Sequence, residues 1–112
     1  MTARRLAGFR AWVWQRATAV YIGLFLVYLL GRLAVAPFDS AAALRAWLGG
    51  ALLWVAFGLF ALALLLHAWI GVRDVILDYV KLPALRLALL AAVALFLLAN
   101  GLWLAGILME VR

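Results

Sequence analysis

His67 is the one histidine in this sequence, and it stands in an apolar run, 46–72, that holds no other ionisable side chain. Placing an ionisable group at membrane depth is costly, so such a residue marks function by default. A neutral imidazole is a good axial ligand for haem iron. Gly71, one turn later on the same face, would leave room for a macrocycle beside the helix. One histidine supplies one axial ligand, so a haem held by two histidines must take its second from another subunit. The competing reading of His67 is structural, a hydrogen bond to a neighbouring helix.

Twelve residues further on come Asp78 and Tyr79. A phenol can donate a hydrogen bond to a carbonyl, and a carboxylate can orient a neighbouring arginine or relay protons. Interfacial tyrosines and loop aspartates are also common without such roles. Arg16, in the run Gln15-Arg16-Ala17-Thr18-Ala19, could pair with a haem propionate or with lipid phosphate, and simple interfacial anchoring explains it equally well. Asn100 reads as an interhelical hydrogen-bonding residue with no chemistry.

The elements that must position these residues are membrane spans. The chain has 112 residues, is 72% hydrophobic and only 12% charged, and its mean hydropathy is +1.23, far from the roughly half-apolar usage of soluble domains. A span needs about 20 apolar residues of helix, with every backbone polar group satisfied inside the segment. Three stretches meet this, at about 17–36, 44–72 and 86–109, in a single all-α membrane domain covering 1–112. Arg32 interrupts the first near its end, and the third has Asn100 as its only amide. Pro37 ends the first helix, and Asp39 or Ser40 could cap the next, which starts close to Ala41. The second connection is expected over Arg73 to Pro83, the most polar stretch of the chain. With that boundary near Val72, His67 lies about 7.5 Å inside it by helix rise.

Ten Lys and Arg stand against four Asp and Glu. They sit between apolar runs and are not clustered on one soluble face, so they describe membrane topology and not nucleic-acid contact. Arg4, Arg5, Arg10, Arg16, Arg73, Lys81 and Arg86 fall on one side, and Arg32, Arg45 and Arg112 on the other. The positive-inside rule puts the N-terminus and the Arg73 to Pro83 connection in the cytoplasm. A signal peptide ending at Ala34-Val35-Ala36 is disfavoured by Pro37 and by an apolar stretch long enough to span. Trp12, Trp14, Trp47, Trp69 and Trp103 lie near span ends, as interfacial anchors would. The absence of cysteine removes disulfides, thiolate zinc sites, covalent haem attachment and Cys-bound iron-sulfur clusters from this chain.

His67-Ala-Trp-Ile-Gly71, then Asp78-Tyr79-Val80-Lys81 and Leu85-Arg86-Leu87, together with Arg16-Ala17-Thr18-Ala19, resemble the succinate dehydrogenase hydrophobic membrane anchor subunit. That is the smaller of two anchors in bacterial complex II, and the likeness touches all three spans and the spacing of twelve from His67 to Tyr79. It implies a heterotetramer of the bacterial cytoplasmic (inner) membrane, in which this chain packs with a second three-helix anchor beside an iron-sulfur subunit and a flavoprotein subunit. It further implies a haem b shared by the two anchors and a ubiquinone pocket. On the resemblance His67 is the axial haem ligand, Tyr79 hydrogen-bonds a quinone carbonyl, Asp78 adjoins it and Arg16 lies near the propionates. The chain has no histidine before His67, where some relatives carry one. The subunit would complete half a site and would be no catalyst alone.

Three other readings stay open at this level. Quinol:fumarate reductases use similar anchors. A small transport subunit would need charges lining a path, and these spans offer one histidine and no acidic residue. A purely structural anchor would leave His67 as a packing residue.

Overall fold

Long runs of Leu, Ala, Val and Ile without internal proline favour helix, and in hydrocarbon helix is also the one local way to satisfy the backbone. The computed structural model, which describes residues 3–112, has four helices: α1 (Ala3–Val35), α2 (Ala41–Leu48), α3 (Ala51–Tyr79) and α4 (Pro83–Glu110). Three of them, α1, α3 and α4, are long and apolar enough to cross a membrane, as the sequence leads one to expect. At 33 residues α1 is about 50 Å long by helix rise, close to the 51 Å long axis of the molecule.

The helices outrun the apolar segments. Arg4, Arg5, Arg10 and Arg16 lie inside α1, and Arg73, Asp74, Asp78 and Tyr79 lie inside α3. The second connection is therefore only 80–82, not Arg73 to Pro83. Polarity marks where a chain leaves hydrocarbon, whereas helix ends where the backbone must change course. Here that stop is Pro83, which biases Leu82 to extended geometry (φ −73°, ψ 118°). The freed carbonyls at the end of α3 are taken up by cations. Arg86 donates from Nε to the Val80 carbonyl at 3.0 Å and from Nη2 to the Leu77 carbonyl at 3.1 Å, and Lys81 donates to the Asp78 carbonyl at 2.8 Å.

The first connection differs as well. Ser40 caps α2, its hydroxyl accepting from the Ala43 N–H at 3.1 Å, so a helix does start at Ala41. It stops after Leu48, and α3 begins anew beyond Gly49-Gly50. A Cβ on Gly49 would occupy the space of the Val111 carbonyl oxygen. The break thus lets the end of α4 close against the chain between α2 and α3.

α3 is the helix against which each of the other three packs. Phe25 is the hub of the α1 seam, stacked on Phe60 (centroids 4.7 Å) and edge-on to Phe57 (4.9 Å), and the Tyr21 hydroxyl donates to the Ala56 carbonyl at 2.7 Å. Trp47 is drawn into this packing, edge-on to Phe57 and tilted against Phe38, with the Arg32 guanidinium over both the Phe38 and Trp47 rings. On the α4 side, Gly58 and Gly101 admit Leu108 and Leu65, and the Trp54 indole donates to the Leu108 carbonyl. Asn100 is exposed and donates to Phe96 of its own helix at 2.8 Å, so its amide makes no bond to another helix of this chain.

Replacing Gly49 by valine should force the α4 terminus away, at a cost of about 1–3 kcal/mol typical of overpacking. The check is a lowered thermal midpoint of the detergent-solubilised assembly. Gly106, where an added Cβ meets nothing within 4 Å, should accept alanine without loss.

Candidate functional site: the cleft between α1 and α3

Small residues of α1, Ala7, Gly8, Ala11 and Ala19, leave open space beside α3. That gap is a cleft of about 740 Å³ whose polar lining is Gln15, Arg16, His67, Arg73 and Asp74. Arg16 and His67 thus line one space. The volume lies within the roughly 300–1,000 Å³ usual for small-molecule and cofactor sites.

The half-buried His67 ring is held from α1. Its Nδ1 lies 3.1 Å from the Thr18 hydroxyl, which is also 2.7 Å from the Trp14 carbonyl and 3.1 Å from the Gln15 carbonyl. One turn along, Gln15 reaches α3 at Gly71, where an added Cβ would stand 3.3 Å from the Gln15 amide nitrogen. The absent side chain at Gly71 therefore makes way for the Gln15 amide of α1. The other end of the Gln15 amide, Oε1, is buried without a hydrogen-bond partner, an arrangement that a bound molecule or a partner chain would relieve.

Cations ring the cleft. The Arg16 guanidinium lies 5.8 Å from the centroid of the Trp12 ring. Arg73 is bound to its neighbour Asp74, 3.1 Å from Nη2 to Oδ1, a pair exposed enough to contribute little stability. Arg73 also borders a second, smaller cleft of about 490 Å³ with Arg10, Trp14 and Trp69. Three guanidiniums thus gather at one end of the α1 and α3 pair, while Arg32 and Arg112 lie at the other, Arg112 over the Trp54 ring.

Tyr79 and Asp78 stand apart from this cleft. They occupy the last turn of α3, and Tyr79 is 79% exposed. Twelve residues of helix separate Tyr79 from His67, about 18 Å along the axis and a third of a turn in direction. Among the described residues the Asp78 carboxylate forms no ion pair, and the acid beside an arginine is Asp74.

Two residues of the site carry no role in the sequence reading, Thr18 and Gln15. Both lie in the segment around Arg16, but what each touches depends on the register of α1 against α3. No group of three or more His, Cys, Asp or Glu occurs among the described residues that would hold a bare metal ion. One imidazole suits a metal that arrives already chelated, as a porphyrin iron does, and a polar cleft beside an apolar span suits a largely apolar ring with charged edges.

Comparison with known proteins agrees with this architecture. A 33% identical relative, the succinate dehydrogenase hydrophobic membrane anchor subunit of Coxiella burnetii (strain RSA 493 / Nine Mile phase I), aligns over 102 residues, 91% of this chain and 87% of that protein. The family described as succinate dehydrogenase/fumarate reductase transmembrane subunit matches residues 3–103, which takes in α1, α3, α4 as far as Trp103 and every residue of the cleft. A multi-pass protein of the cytoplasmic membrane, built to work beside the other subunits of a larger complex, this chain belongs to the succinate dehydrogenase/fumarate reductase transmembrane subunit family.

Proposed function

We propose that the chain is a membrane anchor subunit of succinate dehydrogenase that helps to bind a b-type haem and ubiquinone and to pass electrons from an iron-sulfur subunit to the quinone. The observation that carries this reading is His67 in a cleft between two spans, with Nδ1 engaged by Thr18. The name of the Coxiella relative favours the succinate dehydrogenase over a quinol:fumarate reductase.

The residues present fit the haem. His67 offers one ring nitrogen that Thr18 does not occupy, Arg16 and Arg73 are at hand for carboxylates, and the unpartnered Gln15 amide can turn to meet a polar edge. When bound, a b-type haem supplies a one-electron carrier. The part of this chain is to present His67 Nε2 to the iron, to hold the ring by Nδ1, and to neutralise propionate charge with Arg16. A second histidine ligand to the haem would have to come from another subunit, because this sequence has no other histidine.

Tyr79 and Asp78 serve the quinone. The Tyr79 phenol lies at the end of α3, beside a connection clamped by Arg86, and donates to a quinone carbonyl there. Asp78 supports proton delivery at the same edge. Gathering of Arg10, Arg16 and Arg73 at this end of the pair supports a cytoplasmic N-terminus and α3–α4 connection by the positive-inside rule. Electrons from an iron-sulfur subunit and a flavoprotein subunit on that side then need travel only to the near face of the membrane.

In the assembled complex, His67→Ala should abolish the bis-histidine low-spin signature of the reduced and oxidised haem; an unchanged spectrum at full subunit content removes direct coordination. Tyr79→Phe should lower quinone reductase activity about 2- to 10-fold, the worth of one hydrogen bond, while succinate oxidation by a soluble dye stays intact. Equal loss of both activities would assign Tyr79 to stability and not to quinone.

A further inference from the structure

Thr18 is the only polar or charged residue among the described residues that is buried, at 6% exposure. Its hydroxyl has one hydrogen and three neighbours within bonding distance: the Trp14 carbonyl at 2.7 Å, the Gln15 carbonyl at 3.1 Å and His67 Nδ1 at 3.1 Å. Carbonyl oxygens only accept. The short contact to Trp14 is the bond back to the carbonyl four residues earlier that helical threonine commonly forms, and it takes the hydroxyl hydrogen. Toward His67 the oxygen then has only a lone pair to offer, so Nδ1 must carry the hydrogen and Nε2 must be bare. A hydroxyl that already donates is also polarised to accept more strongly.

From this geometry we infer that Thr18 is a positioning residue for His67: it fixes the tautomer with Nδ1–H and bare Nε2, and it sets the orientation of the ring toward the iron. The inference rests on the reading of His67 as a haem ligand and deepens it, since an iron ligand must present a nitrogen lone pair. The opposite tautomer would point an N–H at the metal. Thr18 acts from α1 while His67 belongs to α3, so ligand geometry depends on the packing of those two spans. A neutral hydroxyl accepts less strongly than a carboxylate would, so it holds the ring without pushing it far toward imidazolate. Loss of even this acceptor withdraws electron density from the ligand and raises the haem potential.

Two measurements test it. Because His67 is the only histidine in the full chain, nitrogen-15 histidine labelling of that chain in nanodiscs reads one ring, with no haem required. Above neutral pH the expected signals are a protonated Nδ1 and an unprotonated Nε2; a protonated Nε2 overturns the inference. In the whole complex, Thr18→Val keeps the shape and removes the hydroxyl, and Thr18→Ser keeps the hydroxyl. Loss of an outer ligand partner typically weakens metal binding about 10- to 100-fold, so the valine variant should retain haem that much less tightly, with an upward shift in potential and an altered low-spin electron paramagnetic resonance signal. Serine should restore all three. A valine variant with wild-type haem retention, potential and resonance overturns the role of Thr18, as does a serine variant as impaired as valine, because the retained hydroxyl would then restore nothing. If His67→Ala leaves the low-spin signal unchanged, the ligand reading itself falls, an outcome distinct from either of these.

Discussion

Hydrocarbon offers no hydrogen bonds, so a polar side chain in a membrane span must find its partner within the protein, and that constraint fixes how these helices meet. Tyr21 of α1 reaches the Ala56 carbonyl of α3, Thr18 meets His67, and Trp54 of α3 reaches the Leu108 carbonyl of α4. Each bond joins two spans at one depth. Together they set the register of an antiparallel set in which α3 is the shared partner, and the packing around Phe25 fills the space between them. Apolar attraction alone cannot choose a register, since lipid tails are as apolar as leucine. Among the described residues Gln15 Oε1 is the buried side-chain atom left without a partner, and Gln15 lines the His67 cleft.

Charge follows from the same constraint. Arginines collect at the two ends of the set, where their guanidinium heads can reach water or carbonyls or lie over aromatic rings. Arg32 shows both habits, donating to the Ala36 carbonyl and covering Phe38. Arg86 does more, because its two bonds to α3 carbonyls tie the start of α4 to the turn that carries Asp78 and Tyr79. Those two residues can be exposed and still be held in place.

Composition made the three spans legible, because a run of 20 apolar residues has few other uses. Helix ends were less so. The polar stretch from Arg73 to Tyr79 looked like a connection because it leaves the apolar zone, yet nothing in it breaks a helix before Pro83. The opposite error concealed the interruption at Gly49-Gly50, where a tertiary contact with Val111 gives the glycine its purpose. In the site, His67 stood out since an imidazole in a span is rare. Gly71 was noticed for its missing side chain, but what fills the gap is Gln15 from another helix. Thr18 stayed hidden because a hydroxyl in a helix can always bond its own backbone, and only register reveals the second partner.

The two faces of α3 explain why this part could not be read ahead. Toward α4 the groove of about 870 Å³ is lined by Leu, Ala, Val, Gly and Trp side chains, with hardly any polar surface. Toward α1 the helix presents His67, Ile70 and Asp74, spaced three and four apart as one face requires. A soluble helix would advertise such a division through an apolar stripe and a polar one. In a span both faces are apolar, so period carries no direction, and between Ala51 and Val72 the single residue that distinguishes them is His67 itself. The histidine is therefore both the chemical group and the landmark that says which side of α3 the cleft must lie on. Its neighbours on α1 could be named only once that side had been packed.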